Sequence, residues 1–187
     1  MNRLIVPIFL AVLGCTIWLA EPAEVQVEEM VVVEQEIALE TNVEPVEPLF
    51  NISLSADLQE LVYNECMARG IDPYLAVAVM LRENYYFEPT LISGTNDYGL
   101  FQINKVNHKR MADLGYTDML NAEDNVKAGV YILAECLASS DSYHEALMAY
   151  NMGRTGCNRA MAKGITTTSY SRGVMAFYDG LKAGEVY

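Results

Sequence analysis

Asp72-Pro73-Tyr74-Leu75-Ala76-Val77-Ala78-Val79-Met80-Leu81-Arg82-Glu83 is the stretch whose reading decides the fold. Asp72 offers a side-chain acceptor at an N-cap, and Pro73 brings a preset φ to the first helical position. From Tyr74 to Leu81 the run is almost uninterruptedly apolar. A helix that is apolar on every face is a buried one, so this segment is expected to be the central helix of the core. Glu83 ends it. A carboxylate at the end of a buried helix is costly to ionise, and desolvation raises its pKa. That is the preparation a general acid needs near neutral pH. A purely structural reading stands beside this one, with Arg82 or a helix cap neutralising the charge. The helix alone leaves both open.

Outward from this helix, the segments read as helices joined by polar turns. Ser55 can cap a helix with the apolar face Leu58, Leu61, Val62 and Cys66, which Gly70 stops. On the other side, Asn84 to Asn104 has poor helical periodicity and holds Pro89, Gly94 and Gly99 among strand-prone residues, as a loop or small β-hairpin would. Helices are expected again over Val106 to Leu114, Asn121 to Ala138, His144 to Tyr150, Gly156 to Ala162 and Ser169 to Leu181. In the second of these, Val126, Gly129, Val130 and Leu133 share one face. The fold class is mainly α, with one irregular lobe beside the central helix.

The chain's two ends differ in kind. Residues 1–20 carry one cation, Arg3, and Leu4 to Ala20 are uncharged. That composition suits a secretory signal or an N-terminal membrane anchor, although it falls slightly short of the ~20 apolar residues of a typical spanning helix. Val12-Leu13-Gly14-Cys15 also resembles a bacterial lipobox, with Cys15 as the lipidation site. Each version places the domain outside the cytoplasm. Residues 21–50 hold nine glutamates and three prolines without a lysine, arginine or glycine. Like charges extend such a segment, which reads as an acidic disordered stalk. The remaining domain, 51–187, has sixteen acidic and eleven basic side chains, a net of −5. Without a basic stripe, nucleic acid is not expected as a partner. Besides Cys15 there are three cysteines, Cys66, Cys136 and Cys157, so at most one disulfide can form in the domain; Cys136 with Cys157 is one pairing. The absence of CxxC spacing and the presence of only two histidines, His108 and His144, speak against a zinc site. No cofactor is expected.

Three further segments carry chemical interest. Asn96-Asp97-Tyr98-Gly99-Leu100-Phe101-Gln102-Ile103-Asn104 places a glycine where backbone must approach closely and an amide, Gln102, that can both donate to and accept from a sugar. Taken alone it also reads as a strand with one polar face. Ala149-Tyr150-Asn151-Met152-Gly153 is a helix end with a glycine cap, and Thr168-Ser169-Tyr170-Ser171 is a helix start whose tyrosine can equally be core packing.

In this order, Glu83, then Gly99-Leu100-Phe101-Gln102, then Ala149-Tyr150-Asn151-Met152-Gly153, then Tyr170 resemble the SLT-type lytic transglycosylases of the lysozyme-like superfamily. The resemblance covers roughly Leu58 to Leu181. It implies a lysozyme-like domain acting on peptidoglycan glycan strands, with Glu83 as the catalytic acid and Gln102, Tyr150, Asn151 and Tyr170 lining the sugar cleft. Two departures stand out. Asn84 replaces the family's serine after the acid, where an amide can still make a substrate hydrogen bond, and the interval from Glu83 to Pro89 is one residue longer.

The mechanism that the resemblance implies needs one carboxyl group. Glu83 protonates the glycosidic oxygen between N-acetylmuramic acid and N-acetylglucosamine, assisted by the substrate's 2-acetamido group. It then takes the C6 hydroxyl proton as a 1,6-anhydro ring closes. Asp97 offers an alternative, because Asp-Tyr-Gly followed by an apolar pair and Gln-Ile-Asn is similar to the segment of animal-type lysozymes that carries their second carboxylate. In that case the enzyme is a retaining hydrolase. As an ordinary turn residue, Asp97 needs no such role. A non-catalytic wall-binding module is a further alternative. The membrane, through the N-terminal segment, and a secretion or conjugation apparatus are the other expected partners.

Overall fold

The computed structural model describes residues 49–187; the segment expected to direct export, 1–20, and nearly all of the expected acidic stalk lie outside the described residues. Six α-helices and one two-stranded sheet make up the described fold. In chain order they are α1 (Ala56–Ala68), α2 (Pro73–Glu83), β1 (Asp97–Tyr98), β2 (Ile103–Asn104), α3 (His108–Asp113), α4 (Ala122–Ala138), α5 (Tyr143–Met161) and α6 (Ser169–Lys182). A 3₁₀ turn, Lys105–Asn107, leads into α3.

α2 is the central helix that its sequence requires. The Asp72 carboxylate accepts from the Tyr74 N–H at 3.0 Å, and Pro73 occupies the first turn. Every residue from Leu75 to Leu81 is buried. Among the helices, α6 packs along it most extensively, and α1 packs on it as well. α4 and α5 pack on each other as a second layer. The Phe50 ring packs edge-on against Tyr74, 5.2 Å between centroids, and its N–H donates to the buried Gln59 side chain at 2.8 Å. The packed domain therefore includes Phe50, one residue ahead of the boundary expected from charge.

The irregular lobe is a short antiparallel hairpin pairing Asp97 with Asn104 and Tyr98 with Ile103. Asn125 of α4 clamps it. This fully buried amide accepts from the Phe101 N–H at 2.8 Å and donates to the Tyr98 and Met119 carbonyls at 2.8 and 2.9 Å. Gly99 has φ +72°, and a Cβ there would stand 2.5 Å from the Asn125 side chain. Both dihedral and space therefore demand glycine. Phe101, wholly buried, fills the space that Gly129 leaves open on α4.

Two expectations need correction. The segments expected as separate helices at His144–Tyr150 and Gly156–Ala162 form one element, α5, broken only at Gly153 (φ 71°, ψ 158°). That dihedral pair is accessible almost solely to glycine, so the residue kinks the helix instead of ending it. Val106 belongs to the 3₁₀ turn, and α3 proper begins at His108. Cys66, Cys136 and Cys157 are all free thiols, with Cys136 packed beside Cys157. Among the described residues no helix is long and apolar enough to cross a membrane.

Candidate active site

A cleft of about 430 Å³ runs between the hairpin lobe and the α4–α5 layer. Glu83, Asp97, Gln102, Asn104, Tyr150 and Asn151 line it, together with Ile103, Ile132 and Met152. The residues expected to act together are thus gathered from four elements, and only Asn84 and Tyr170 are not in its lining.

Glu83 projects from the last turn of α2. Burial is the main influence on its carboxyl and pushes it up to about 7. The Tyr170 hydroxyl opposes this by donating to Oε1 at 2.6 Å; the negative charge of Asp97 adds to the rise and the positive charge of Arg82 reduces it. Arg82 is exposed and lies over the Tyr170 ring, 5.9 Å from its centroid, making no ion pair with Glu83 among the described residues. The neutralised-charge reading therefore gives way to an acid that is half protonated near neutral pH.

Tyr170 is held by the way α6 begins. Thr168 and Ser171 form a reciprocal capping box, and the buried Ser171 hydroxyl also meets His144 Nδ1 at 3.0 Å. This fixes the first turn of α6 and aims the phenol at Glu83. Tyr170 is buried, but it does more than fill the core. Tyr150 comes from α5 just ahead of the kink and donates to the Phe101 carbonyl at 2.9 Å. Burial and the nearby Glu83 charge hold both phenols well above their usual pKa, so they stay protonated as donors.

Gln102 sits in the turn of the hairpin at φ 46°. Its amide nitrogen donates to the Gly99 carbonyl at 2.8 Å, while its amide oxygen has no partner among the described residues and is left to the cleft. Asn151 is exposed on the opposite wall. Asn84, expected to face the substrate, faces the backbone instead. It caps α2, donates to the Glu88 and Gly99 carbonyls at 2.6 and 3.2 Å, and accepts from the Glu88 N–H at 3.0 Å. Both amide protons are used, and the side chain is buried. The residue ties the longer Glu83–Pro89 loop to the hairpin.

Asp97 is braced by side chains of its own turn and hairpin. Burial raises its carboxyl, but hydrogen bonds outweigh that and hold it below the ordinary range. Thr95 and Ser93 donate to Oδ2, Ser93 at 2.8 Å, and Asn104 donates to Oδ1 at 2.7 Å. One cleft thus contains two carboxyls whose proton affinities are pushed in opposite directions, Glu83 up and Asp97 down. Among the described residues no group of three or more His, Cys, Asp or Glu is placed to hold a metal ion. Sequence reasoning passed over two residues, Asn125, which holds the hairpin from beneath, and Ile132, which lines the cleft. Asn125 shares the face of Gly129 and Leu133, four and eight residues on, and a lone amide on an apolar stripe was the available signal.

Comparison with known families agrees with this geometry. The family model described as the transglycosylase SLT domain matches residues 61–169, more than half of the chain. The chain belongs to the SLT domain family. The matched span takes in α2, the hairpin lobe and the kink of α5, which are the elements that build the cleft. Among solved structures, the SLT domain here is similar to an inactive mutant of the lytic transglycosylase Slt from Pseudomonas aeruginosa, with a TM-score of 0.56 at 16% identity. The match covers 69% of this chain and 25% of that one, so this chain spans about a quarter of its length and the likeness is one of fold. A search of curated proteins gave no match.

Proposed function

We propose that the protein is a peptidoglycan lytic transglycosylase in which Glu83 serves first as acid and then as base. The observation that carries this reading is the single carboxyl held near pKa 7 in the cleft of an SLT domain, with Tyr170 bonded to it. A group half protonated near neutral pH can give a proton to the glycosidic oxygen and, once ionised, recover one from the substrate. Gln102 and Asn151 are positioned for sugar hydroxyls or acetamides, and the protonated Tyr150 forms the wall between them. With the substrate's acetamido group assisting departure of the leaving sugar and its C6 hydroxyl then attacking C1 to close the 1,6-anhydro ring, the reaction requires no second carboxylate and no cofactor. The acidic stalk and export segment fit a domain held at the cell envelope, outside the cytoplasm, by a membrane or by a secretion or conjugation apparatus.

A second reading, a retaining hydrolase, is favoured by one observation. Asp97 is ionised, braced by three side-chain donors and in the same cleft as the acid. Paired variants separate the two. Glu83→Gln should lower muropeptide release from purified sacculi by at least about a thousandfold, the order expected when the essential acid is lost. Asp97→Asn should keep release within roughly tenfold of wild type if Glu83 works alone. A thousandfold loss in both would favour the hydrolase.

A further inference from the structure

The loop that follows Glu83 carries the most exposed aromatic side chain among the described residues. Tyr86 is 86% exposed and Tyr85 48%, although both lie within three residues of the acid. They sit in the interval from Glu83 to Pro89, which is one residue longer than in the family it resembles. The loop is firmly held. The Asn84 side chain ties it at Glu88 and to the hairpin at Gly99, and the Phe87 N–H donates to the Asn84 carbonyl at 3.0 Å. Phe87 stands at φ 52°, a left-handed conformation uncommon for a bulky side chain, and its ring is buried. With Phe87 turned inward, Tyr86 is left in solvent. Tyr85 meets the Tyr86 ring edge-on, 5.4 Å between centroids, and leans on Phe177 of α6 at 6.2 Å. Apolar exposure continues along the same wall at Leu91 and Ile92. The Leu91 carbonyl accepts from the Gly99 N–H at 2.8 Å and from the Gln102 amide at 3.4 Å. The stretch from Tyr85 to Ile92 thus borders the cleft from the acid to the sugar-facing amide.

We propose that Tyr86, backed by Tyr85, is a stacking platform for the glycan strand where it leaves the cleft, and that this platform makes the enzyme select long strands. The inference rests on the peptidoglycan reading of the cleft and extends it beyond the reacting sugars. A cleft of about 430 Å³ is too small for a polymer, so the strand continues over the neighbouring surface. A pyranose ring has apolar C–H groups on its faces and hydroxyls on its rim, which matches the apolar ring and polar tip of a tyrosine. An exposed apolar patch rimmed by polar groups and continuous with a cleft marks a ligand-binding surface. Because the loop is already fixed, stacking on it costs little conformational freedom.

The test measures kcat and KM of the full chain on peptide-free glycan, supplied as tetrasaccharides and as long strands. Wild type should favour long strands by roughly three- to tenfold in kcat/KM, the range that covering one aromatic face supplies. The preference should lie in KM. Tyr86→Ala should bring the long-to-short ratio toward one, while Tyr86→Phe, which keeps the ring, should retain most of it. The ratio is taken within each protein, so any loss of folded enzyme cancels. A wild-type ratio in Tyr86→Ala, whether or not its overall rate falls, would overturn the platform and leave the tyrosine face to a protein partner. Equal wild-type kcat/KM on both lengths would overturn it too, and neither result touches the cleft reading. If wild type cleaves neither substrate, the peptidoglycan reading itself falls, and the platform with it.

Discussion

Glu83 keeps a proton in the fold that it would lose in the unfolded chain, and this has a consequence for stability. Its carboxyl is raised from an ordinary 4.5 to about 7, chiefly by burial. A raised folded-state pKa means that the native state binds the proton more tightly. The stabilisation is fully present below about pH 4.5 and is lost as pH rises through about 7. At pH 8 the ionised, partly buried group costs up to roughly 3 kcal/mol. Glu83→Gln should therefore be more stable than wild type at pH 8, the difference shrinking as pH falls from about 7 to 4.5, as measured by urea unfolding across that range. A parallel pH dependence in the two proteins would contradict the shift. Tyr170 works in the opposite direction, because its hydroxyl lowers the acid's pKa. Tyr170→Phe should move the alkaline limb of the pH–rate profile upward and cost about 1–2 kcal/mol of stability through the lost hydrogen bond. An unmoved limb would reduce Tyr170 to packing.

At the scale of elements, the cleft depends on how the hairpin lobe is held to α4. The Asn125 amide satisfies one N–H and two carbonyls that have little other recourse. Asn125→Ala leaves all three short of a partner and should destabilise the domain by about 3 kcal/mol, visible as a lower urea midpoint and a slower enzyme. A midpoint shift of only a few tenths of a kcal/mol would show that the clamp is redundant. The legibility of each element followed from how local its causes are. α2 was readable in full because its cap, its proline and its all-round apolarity lie within twelve residues. The kinked course of α5 was not, because Gly153 signals a helix end just as well as a break, and only the resumption of packing on the far side decides between them. The hairpin's place was legible, its register was not, since that is set by Asn125 from 24 residues away along the chain.

Across the whole molecule, a buried helix delivers an acid to the boundary between a rigid helical body and a small, clamped lobe. The order of motifs made the residues of the cleft legible together: Glu83, Gln102, Tyr150 and Asn151 meet there, and Tyr170 reaches in to bond the acid. The backbone duty of Asn84 was not legible, because a buried amide and a substrate-facing amide look alike in sequence. The same holds for Asp97, whose proton affinity depends on donors at Ser93, Thr95 and Asn104. The central claim is that one carboxyl, Glu83, performs both proton transfers and that the sugar's own C6 hydroxyl closes the product. Mass spectrometry of muropeptides released from purified sacculi by the wild-type protein tests it most directly. The account predicts products ending in 1,6-anhydro-N-acetylmuramic acid, each lighter by one water than its reducing-end counterpart. Products carrying only reducing ends would contradict it.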